Sequence, residues 1–549
     1  MMTDLSNRRF IVNAIGSPQD DHRRPSDSGG ATRAGDLREM TVAFAERRAS
    51  VRRGTSEAIR RQHSSGRLTA RERLGYLFDE GSFTELDTFR KPRKANDRTS
   101  SERIETDGVI IGWGHVYGRI VFAYAQDAQL FGGTLGEEHA SKIHKIMDLA
   151  RRAGKPLVGL NDGGGARIQE GIAALSGYGG IFRRQVGISG QIPQISVVLG
   201  ACAGGAAYSP ALADFVFMVE GTSQMFVTGS KVLAEVTGET VTNEDLGGTA
   251  VHAELTGVAH RVHADEAECL EEVRYLLSLL PENCRENAPE YDAPRDVFDD
   301  APELLDIVPR DPRSAYDVKK VISVVLDGGD FFELQESWGK SLVCGLGRLD
   351  GCTVGLVANQ PLVNAGALDA GASAKGARFV QMCDAFGIPL ITLVDVPGFL
   401  PGIAEEHGGI IRHGAQLVYA YCNSRVPRVS VILRKAYGGA YIVMDSRSIG
   451  CDVTLAWPTN EVAVMGAAGA VSIIHGRELR DCRDRGYTRA ALMSRYEDEF
   501  LNPFVAVEQG LVDEIIEPQS TRRALASALH MLTDGSHGDT TARHGNPPQ

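Results

Sequence analysis

Ile192–Tyr208 reads IPQISVVLGACAGGAAY, and Val426–Ile442 reads VPRVSVILRKAYGGAYI. Each opens with an apolar residue and a proline and passes through a β-rich run, Ile195–Leu199 or Val429–Leu433. Each then reaches Gly-Gly-Ala: Gly204, Gly205 and Ala206 in the first copy, Gly438, Gly439 and Ala440 in the second. Pro193 to Gly204 is 11 positions, as is Pro427 to Gly438, and the copies lie 234 residues apart. The pattern predicts a buried strand that delivers the chain to a helix start. Glycines there let a ligand approach the main chain closely. The first N–H groups of a helix lack internal partners, and the helix dipole adds positive potential. Two such amides aimed at one point hold a developing negative oxygen. A lone Gly-Gly would indicate only close strand–helix packing. Two copies with the same internal spacing point to a pair of sites.

The repeat extends upstream. Lys155–Gly171, KPLVGLNDGGGARIQEG, parallels Ile388–Gly402, IPLITLVDVPGFLPG, with Pro156 and Pro389 separated by 233 residues. Each segment follows an amphipathic helix. Glu137–Arg152 places Ile143, Ile146, Met147 and Ala150 on one face, with acidic residues in its first turn, basic ones in its last, and Gly154 beyond. Ala374–Phe386 does the same with Ala377, Val380, Cys383 and Phe386, then Gly387. Both halves read helix, strand, Gly-rich loop, helix, strand, Gly-Gly-Ala, helix. The period is too long for a solenoid and marks a duplicated α/β domain.

Further strands are expected around Gly108–Trp113, Arg119–Gln126, Phe215–Val219, Gln224–Val227, Leu342–Leu349 and Cys352–Ala358, with helices over 265–280 and Ser314–Asp327. Residues 1–35 and 536–549 are polar and read as disordered tails. Leu37–Phe78 is helical and densely charged. Its basic cluster, Arg52, Arg53, Arg60, Arg61, Arg67, Arg71 and Arg73, reads as a solvated face or a subunit contact rather than a phosphate site. The Pro-, Asp- and Glu-rich stretch over 286–313 reads as a linker, which gives domains at 36–285 and 314–535.

Composition excludes several classes of function. A chain of 549 residues with 43% hydrophobic content has material for at least two large cores. A net charge of −13 argues against nucleic-acid binding. None of the nine cysteines forms a CxxC pair, so reduced thiols and no metal are expected. No apolar run reaches membrane-span length and no secretory signal is present, so the expected location is the cytoplasm. GxSxG, GxxxxGK[ST] and HExxH are all absent. Ser209 has no positioned base in sequence. His252 and His260 lie near acids but read as structural, because no nucleophile motif accompanies them.

What remains is the pair of main-chain sites. Here the sequence resembles the β, or carboxyltransferase, subunits of biotin-dependent acyl-CoA carboxylases, in the propionyl/acetyl branch. The motifs that carry the likeness are Arg67-Leu68-Thr69-Ala70-Arg71-Glu72-Arg73, Gly164-Gly165-Ala166-Arg167-Ile168-Gln169-Glu170-Gly171, Cys202–Pro210, Val394–Phe399 and Arg434–Tyr441. The resemblance implies two tandem crotonase-like (ββα spiral) domains. It also implies a hexameric ring in which the first half of one protomer faces the second half of another. The first half would hold the acyl-CoA thioester, with Gly204 and Gly205 at its oxyanion and Gly164, Gly165, Ala166 and Ala206 around it. The second half would hold biotin, with Gly439 and Ala440 at the ureido oxygen and Gly438, Tyr441 and Ile442 around it. Carboxybiotin would release CO2, the biotin enolate would take the α-proton, and the acyl enolate would attack CO2. The chain has no biotin-attachment lysine flanked by Met and no ATP-binding motif, so a biotinylated α subunit is the expected partner.

Two departures stand out. Gly163 replaces a serine usual in the family, and Ile442 stands where propionyl-preferring members carry Asp. The latter implies different or broader acyl selectivity, or simple packing of Ile442. Two other readings stay open: a biotin-dependent decarboxylase subunit running the transfer in reverse, and a non-catalytic assembly subunit.

Overall fold

The computed structural model describes residues 36–54, 56–92, 106–293, 297–481, 485–533 and 544–548. The expected tail over 1–35 lies outside them. The chain forms two compact units, residues 1–52 and 53–549. The described part of the first is residues 36–52, nearly all of them in the helix Leu37–Arg53, which buries none of its side chains. Both sheets and all the elements that follow belong to the second unit.

The helical pattern expected as far as Phe78 breaks at Gly54 and Gly66, both with positive φ. Helices Ser56–Ser64 and Ala70–Leu77 result. Thr69 caps the latter in a reciprocal capping box with Glu72, which satisfies two orphan amides.

Among the described residues sixteen strands follow in two sheets. The first holds β1 (Thr84–Leu86), β2 (Val109–Val116), β3 (Arg119–Gln126), β4 (Leu157–Gly163), β5 (Gln194–Ala203), β6 (Phe215–Val219), β7 (Gln224–Phe226) and β8 (Arg261–His263). The second holds β9 (Phe331–Leu334), β10 (Leu342–Leu349), β11 (Cys352–Asn359), β12 (Leu390–Val396), β13 (Arg428–Tyr437), β14 (Val453–Ala456), β15 (Glu461–Ala463) and β16 (Glu514–Ile515). Their orders are β1-β2-β3-β4-β5-β6-β8 and β9-β10-β11-β12-β13-β14-β16. β7 lies beside the end of β5, and β15 lies beside the end of β13. In each sheet the first three strands are antiparallel and the rest parallel. The duplication read from the glycine motifs is therefore present strand for strand. The central parallel strands are apolar without alternation because helices cover both their faces.

In the first half, Glu137–Ala153 and Ile172–Ile188 pack on one face of the sheet, burying Ile143, Ile146, Met147, Tyr178 and Ile181. Ala70–Leu77 and Glu266–Leu279 cover the other face, and their core is continuous with that of the second half. A third core lies beneath Val318–Val325, where Val318, Val321, Ile322 and Val325 are fully buried. Each such side chain contributes about 1.5–3 kcal/mol by leaving water. The expected linker runs along this core, with Ala301 and Leu304 buried and the Ala301 N–H donating to the Gln519 carbonyl (2.8 Å).

The basic cluster is not solely a solvated face. Arg73 is completely buried, with its Nη1 2.8 Å from Asp162 and its Nη2 2.6 Å from Glu266. Arg71 pairs with Glu85 (3.0 Å). The tail expected over 536–549 also needs correction. Residues 534–543 and 549 are outside the described set, but 544–548 are held by hydrogen bonds to the body of the protein.

The histidines are structural, as expected. His252 uses Nε2 on the Met225 carbonyl (2.7 Å) and Nδ1 on Thr256 (3.0 Å). His260 accepts the Val216 N–H at Nδ1 (3.1 Å), which requires a neutral ring. Burial lowers the pKa of both His260 and His139 to about 3. The unfolded chain takes up these protons below the ordinary value of 6.5 and the native chain does not. Stability is therefore full above that value and falls as pH drops, by up to about 1.4 kcal/mol per pH unit for each ring. Urea midpoints measured from about pH 7 to about pH 5 should fall steadily, and His260→Gln should give a shallower slope.

Candidate active site

In the first half the site grows from the C-terminal ends of β4 and β5. The ladder between them shifts register between Asn161 and Gly163, so that Gly163 pairs with Cys202. A bulge at this point re-aims the loop that follows. Gly165 has φ +92°, and a Cβ there would lie 2.9 Å from the Ala203 carbonyl oxygen. Only glycine lets the Gly164–Ala166 loop lie this close to the end of β5. The Leu135 N–H donates to the Gly165 carbonyl (2.9 Å), and the Arg167 N–H donates to the Leu135 carbonyl (2.9 Å). The Ala166 N–H between them has no acceptor among the described residues.

Gly204, with φ 62°, turns the chain from β5 into the helix Gly205–Ala211. Its N–H donates to the Phe226 carbonyl (3.0 Å), and its own carbonyl accepts the Ala207 N–H (3.1 Å). The Gly205 and Ala206 amides have no acceptor among the described residues. This changes the donor pair expected from the sequence. Gly204 supplies the turn, and its amide is engaged by β7; Gly205 and Ala206 are the open donors.

The second half repeats the arrangement. The ladder between β12 and β13 shifts register between Val394 and Val396. The Leu368 N–H donates to the Gly398 carbonyl (3.1 Å), and the Leu400 N–H donates to the Leu368 carbonyl (2.8 Å). The Phe399 N–H is thus left open, as the Ala166 N–H is in the first half. Phe399 was not among the expected site residues, yet Ala166 and Phe399 are separated by the 233 positions that relate Pro156 to Pro389. Gly438, with φ 60°, begins the helix Gly438–Val443. The amides of Gly439 and Ala440 have no acceptor among the described residues. A Cβ on Gly439 would meet no protein atom within 4 Å. Tyr441 is buried in the core cluster and burial pushes its phenol up to about 12, so it stays neutral. Ile442 is 45% exposed and faces outward.

Both loops stand on buried carboxylates that the sequence reading did not single out. The Asp162 N–H donates to Gln126 Oε1 (2.9 Å), and the Asp395 N–H donates to Asn359 Oδ1 (3.2 Å). These pairs are again 233 positions apart. Asp162 binds Arg73 and Arg67, whereas Asp395 binds Arg434 Nε (3.0 Å) and the Lys435 N–H (3.2 Å). The cation thus comes from an N-terminal helix in one half and from the strand itself in the other. Burial opposes the charge on Arg73, but Glu266 and Asp162 outweigh it and hold its pKa above the ordinary value.

The loop over 164–171 has a second anchor. Arg167 bonds Asp107 (2.6 Å), Glu170 (2.6 Å) and the Thr134 carbonyl (2.9 Å), and its guanidinium lies 4.1 Å from the Phe131 ring centre. Burial would raise the Asp107 carboxyl, but the bond to Arg167 dominates and holds it below the usual range. Ser209 is buried inside its helix, and its carbonyl accepts from Gln185 (2.8 Å). Among the described residues no nucleophile–base pair is built around it. Among the described residues no cluster of His, Cys, Asp or Glu is arranged to hold a metal, and no helix is long and apolar enough to cross a membrane. Arg167→Met strands Asp107 without its cation and should cost about 3–5 kcal/mol in urea denaturation, most of it recovered by adding Asp107→Leu.

The carboxyl transferase domain family matches residues 61–547. Methylmalonyl-CoA decarboxylase subunit alpha of Propionigenium modestum is 50% identical over 495 residues, 90% of this chain and 96% of that protein. The propionyl-CoA carboxylase carboxyltransferase subunit of Haloferax mediterranei is 50% identical over 506 residues, 92% of this chain and 98% of that one. Among solved structures, transcarboxylase 12S, crystallised with methylmalonyl-CoA and methylmalonic acid, superposes with a TM-score of 0.89 at 44% identity. That match covers 94% of this chain and 99% of that one. Two duplicated crotonase-like α/β domains, open main-chain amides at matching strand ends and these similarities together establish that the chain belongs to the carboxyl transferase family of biotin-dependent acyl-CoA carboxylase subunits.

Proposed function

We propose that this chain moves a carboxyl group between carboxybiotin and the α-carbon of an acyl-CoA thioester. The observation that carries the proposal is the repeated cradle of open amides, one at Ala166, Gly205 and Ala206, the other at Phe399, Gly439 and Ala440. The two reacting groups each carry a carbonyl oxygen that gains negative charge during transfer. Preorganised neutral amides stabilise such an oxygen without introducing a charged side chain. Gly204 and Gly438 supply the turns, and Gly164 and Gly165 the close loop. The open space beyond Gly439 fits a group that must approach the main chain. Biotin, when bound there, supplies the carboxyl group; the residues of this chain orient it, hold its oxygen and exclude water.

The biotinylated partner and the hexamer belong to the same proposal. Exposed apolar side chains occur on the segments that follow the cradle residues in sequence: Ile168, Ile172 and Tyr208 in the first half, Ile403, Ile411 and Val464 in the second. Apolar surface gathered at a site rim suits contact with another protein surface. A second copy placing its biotin-side half over the acyl-CoA-side half would cover both rims at once, and the hexamer assembly of transcarboxylase 12S supports a multi-copy arrangement of this kind.

A second reading comes from the similarity to a methylmalonyl-CoA decarboxylase subunit: the same transfer run in the opposite direction, from a 2-carboxyacyl-CoA to biotin. The assay combines this protein with a biotinylated carboxylase partner, ATP, bicarbonate and a panel of acyl-CoAs. Carboxylated product supports the first reading. Carboxyl release from 2-carboxyacyl-CoA to biotin without net carboxylation supports the second, and no transfer in either direction refutes both. Gly439→Val, whose side chain meets no protein atom at its Cβ, should fold normally and lower kcat by about 100-fold or more. Unchanged activity would instead mark an assembly subunit. Ile442→Asp should shift the ratio of kcat/KM values towards propionyl-CoA, and an unchanged ratio refutes a selectivity role for Ile442.

A further inference from the structure

The last described residues, His544–Pro548, lie in a cleft with one wall from each half. From the first half, Ser189 Oγ accepts the Asn546 N–H (2.7 Å) and Asp214 Oδ1 accepts the Asn546 side-chain amide (3.1 Å). From the second half, Asp384 Oδ2 meets His544 Nε2 (3.0 Å), and Arg378 Nη1 donates to the carbonyls of Asn546 (3.4 Å) and Pro547. Arg378 Nη2 crosses to the Ala213 carbonyl of the first half (2.7 Å). Asn546, Asp214 and Asp384 are all buried. Gly190 completes the fit: a Cβ there would stand 1.9 Å from the His544 carbonyl oxygen. Pro548 closes a cavity lined by His260, Trp338 and Lys375 at the junction of the two halves.

These contacts have the character of a binding groove. Without the peptide, Arg378 would lose two carbonyl acceptors and Asp214 one donor, all in buried surroundings where an unmatched polar group is costly. Neither wall supplies the full set of partners, because Ser189 and Asp214 belong to one domain and Arg378 and Asp384 to the other. We propose that His544–Pro548 is a latch, a self-peptide whose groove is built jointly by the two domains and whose docking fixes their relative orientation within one chain. The proposal is independent of the carboxyl-transfer reading and survives its failure.

The full-length double variant Ser189→Cys/Gly545→Cys tests it. A Cβ on Gly545 falls 3.5 Å from the Ser189 Cβ, within disulfide range. Oxidation should give a link within one chain, running at monomer mass on a non-reducing gel and joining the proteolytic fragments that contain positions 189 and 545. Oxidised protein should also melt above its reduced form. Asn546→Ala, in otherwise unaltered protein, should lower Tm by at least about 2 °C. A link between two chains would overturn the proposal, because the groove would then take a neighbour's peptide. Failure to form any link, or an Asn546→Ala protein that melts with the parent, would overturn it as well.

Discussion

The structure depends on a conflict between two demands on the main chain. Buried amides must be paired for the protein to fold, and amides that are to receive a ligand must be left open. The chain resolves this at the ends of β4 and β5 and again at β12 and β13. A register shift aims the loop, Leu135 and Leu368 engage the Gly165 and Gly398 carbonyls and the Arg167 and Leu400 N–H groups on either side of the open amides of Ala166 and Phe399, and a glycine in the left-handed region turns the strand into a helix. The open Ala166 and Phe399 N–H groups thus sit beside engaged main-chain groups, and the open pairs Gly205–Ala206 and Gly439–Ala440 each follow a glycine turn. The cradle is rigid although its own donors are unsatisfied.

Rigidity of this kind needs a foundation. Asp162 and Asp395 supply it from beneath the loops, each tied through its own amide to an amide side chain on the neighbouring strand, and each neutralised by arginine. The two halves reach the same electrostatic end by different routes. In the first, Arg73 arrives from the helix Ala70–Leu77 and also binds Glu266, so the cradle is tied to two helices outside the repeat. In the second, Arg434 lies on β13 itself and reaches the carbonyls of Asp311 and Ser314, which ties the cradle to the segment joining the halves. Duplication preserved the acceptor and left each half to recruit its own cation. A buried carboxylate tolerates either solution, provided that it has one.

Much of this was legible in the sequence. The matched spacing of Pro193–Gly204 and Pro427–Gly438 carries the duplication, and the 233-residue offset carries it to Gln126 and Asn359, Asp162 and Asp395, and Ala166 and Phe399. Periodicity located the central strands of both sheets and the helices packed on them, but not the short strands β1, β8, β9, β14, β15 and β16, which have too few residues to show a period. What it could not locate depends on long-range pairing. The Gly204 amide is engaged because β7, which follows later in the chain, lies beside the end of β5. Arg73 looks like any other residue of a basic helix until the fold places Asp162 and Glu266 around it. The five residues His544–Pro548 have the composition of a loose tail, and the hydrogen bonds that seat them in the cleft come from groups more than 150 positions away.

The central claim is that these open amides receive the reacting oxygens. A structure of the assembled protein with an acyl-CoA and biotin bound tests it most directly. The account predicts the thioester oxygen within about 3.2 Å of the Gly205 or Ala206 nitrogen and the ureido oxygen equally near Gly439 or Ala440, in one continuous cavity shared by two copies. Oxygens held by side chains elsewhere, or cradles opening into separate cavities, would contradict it.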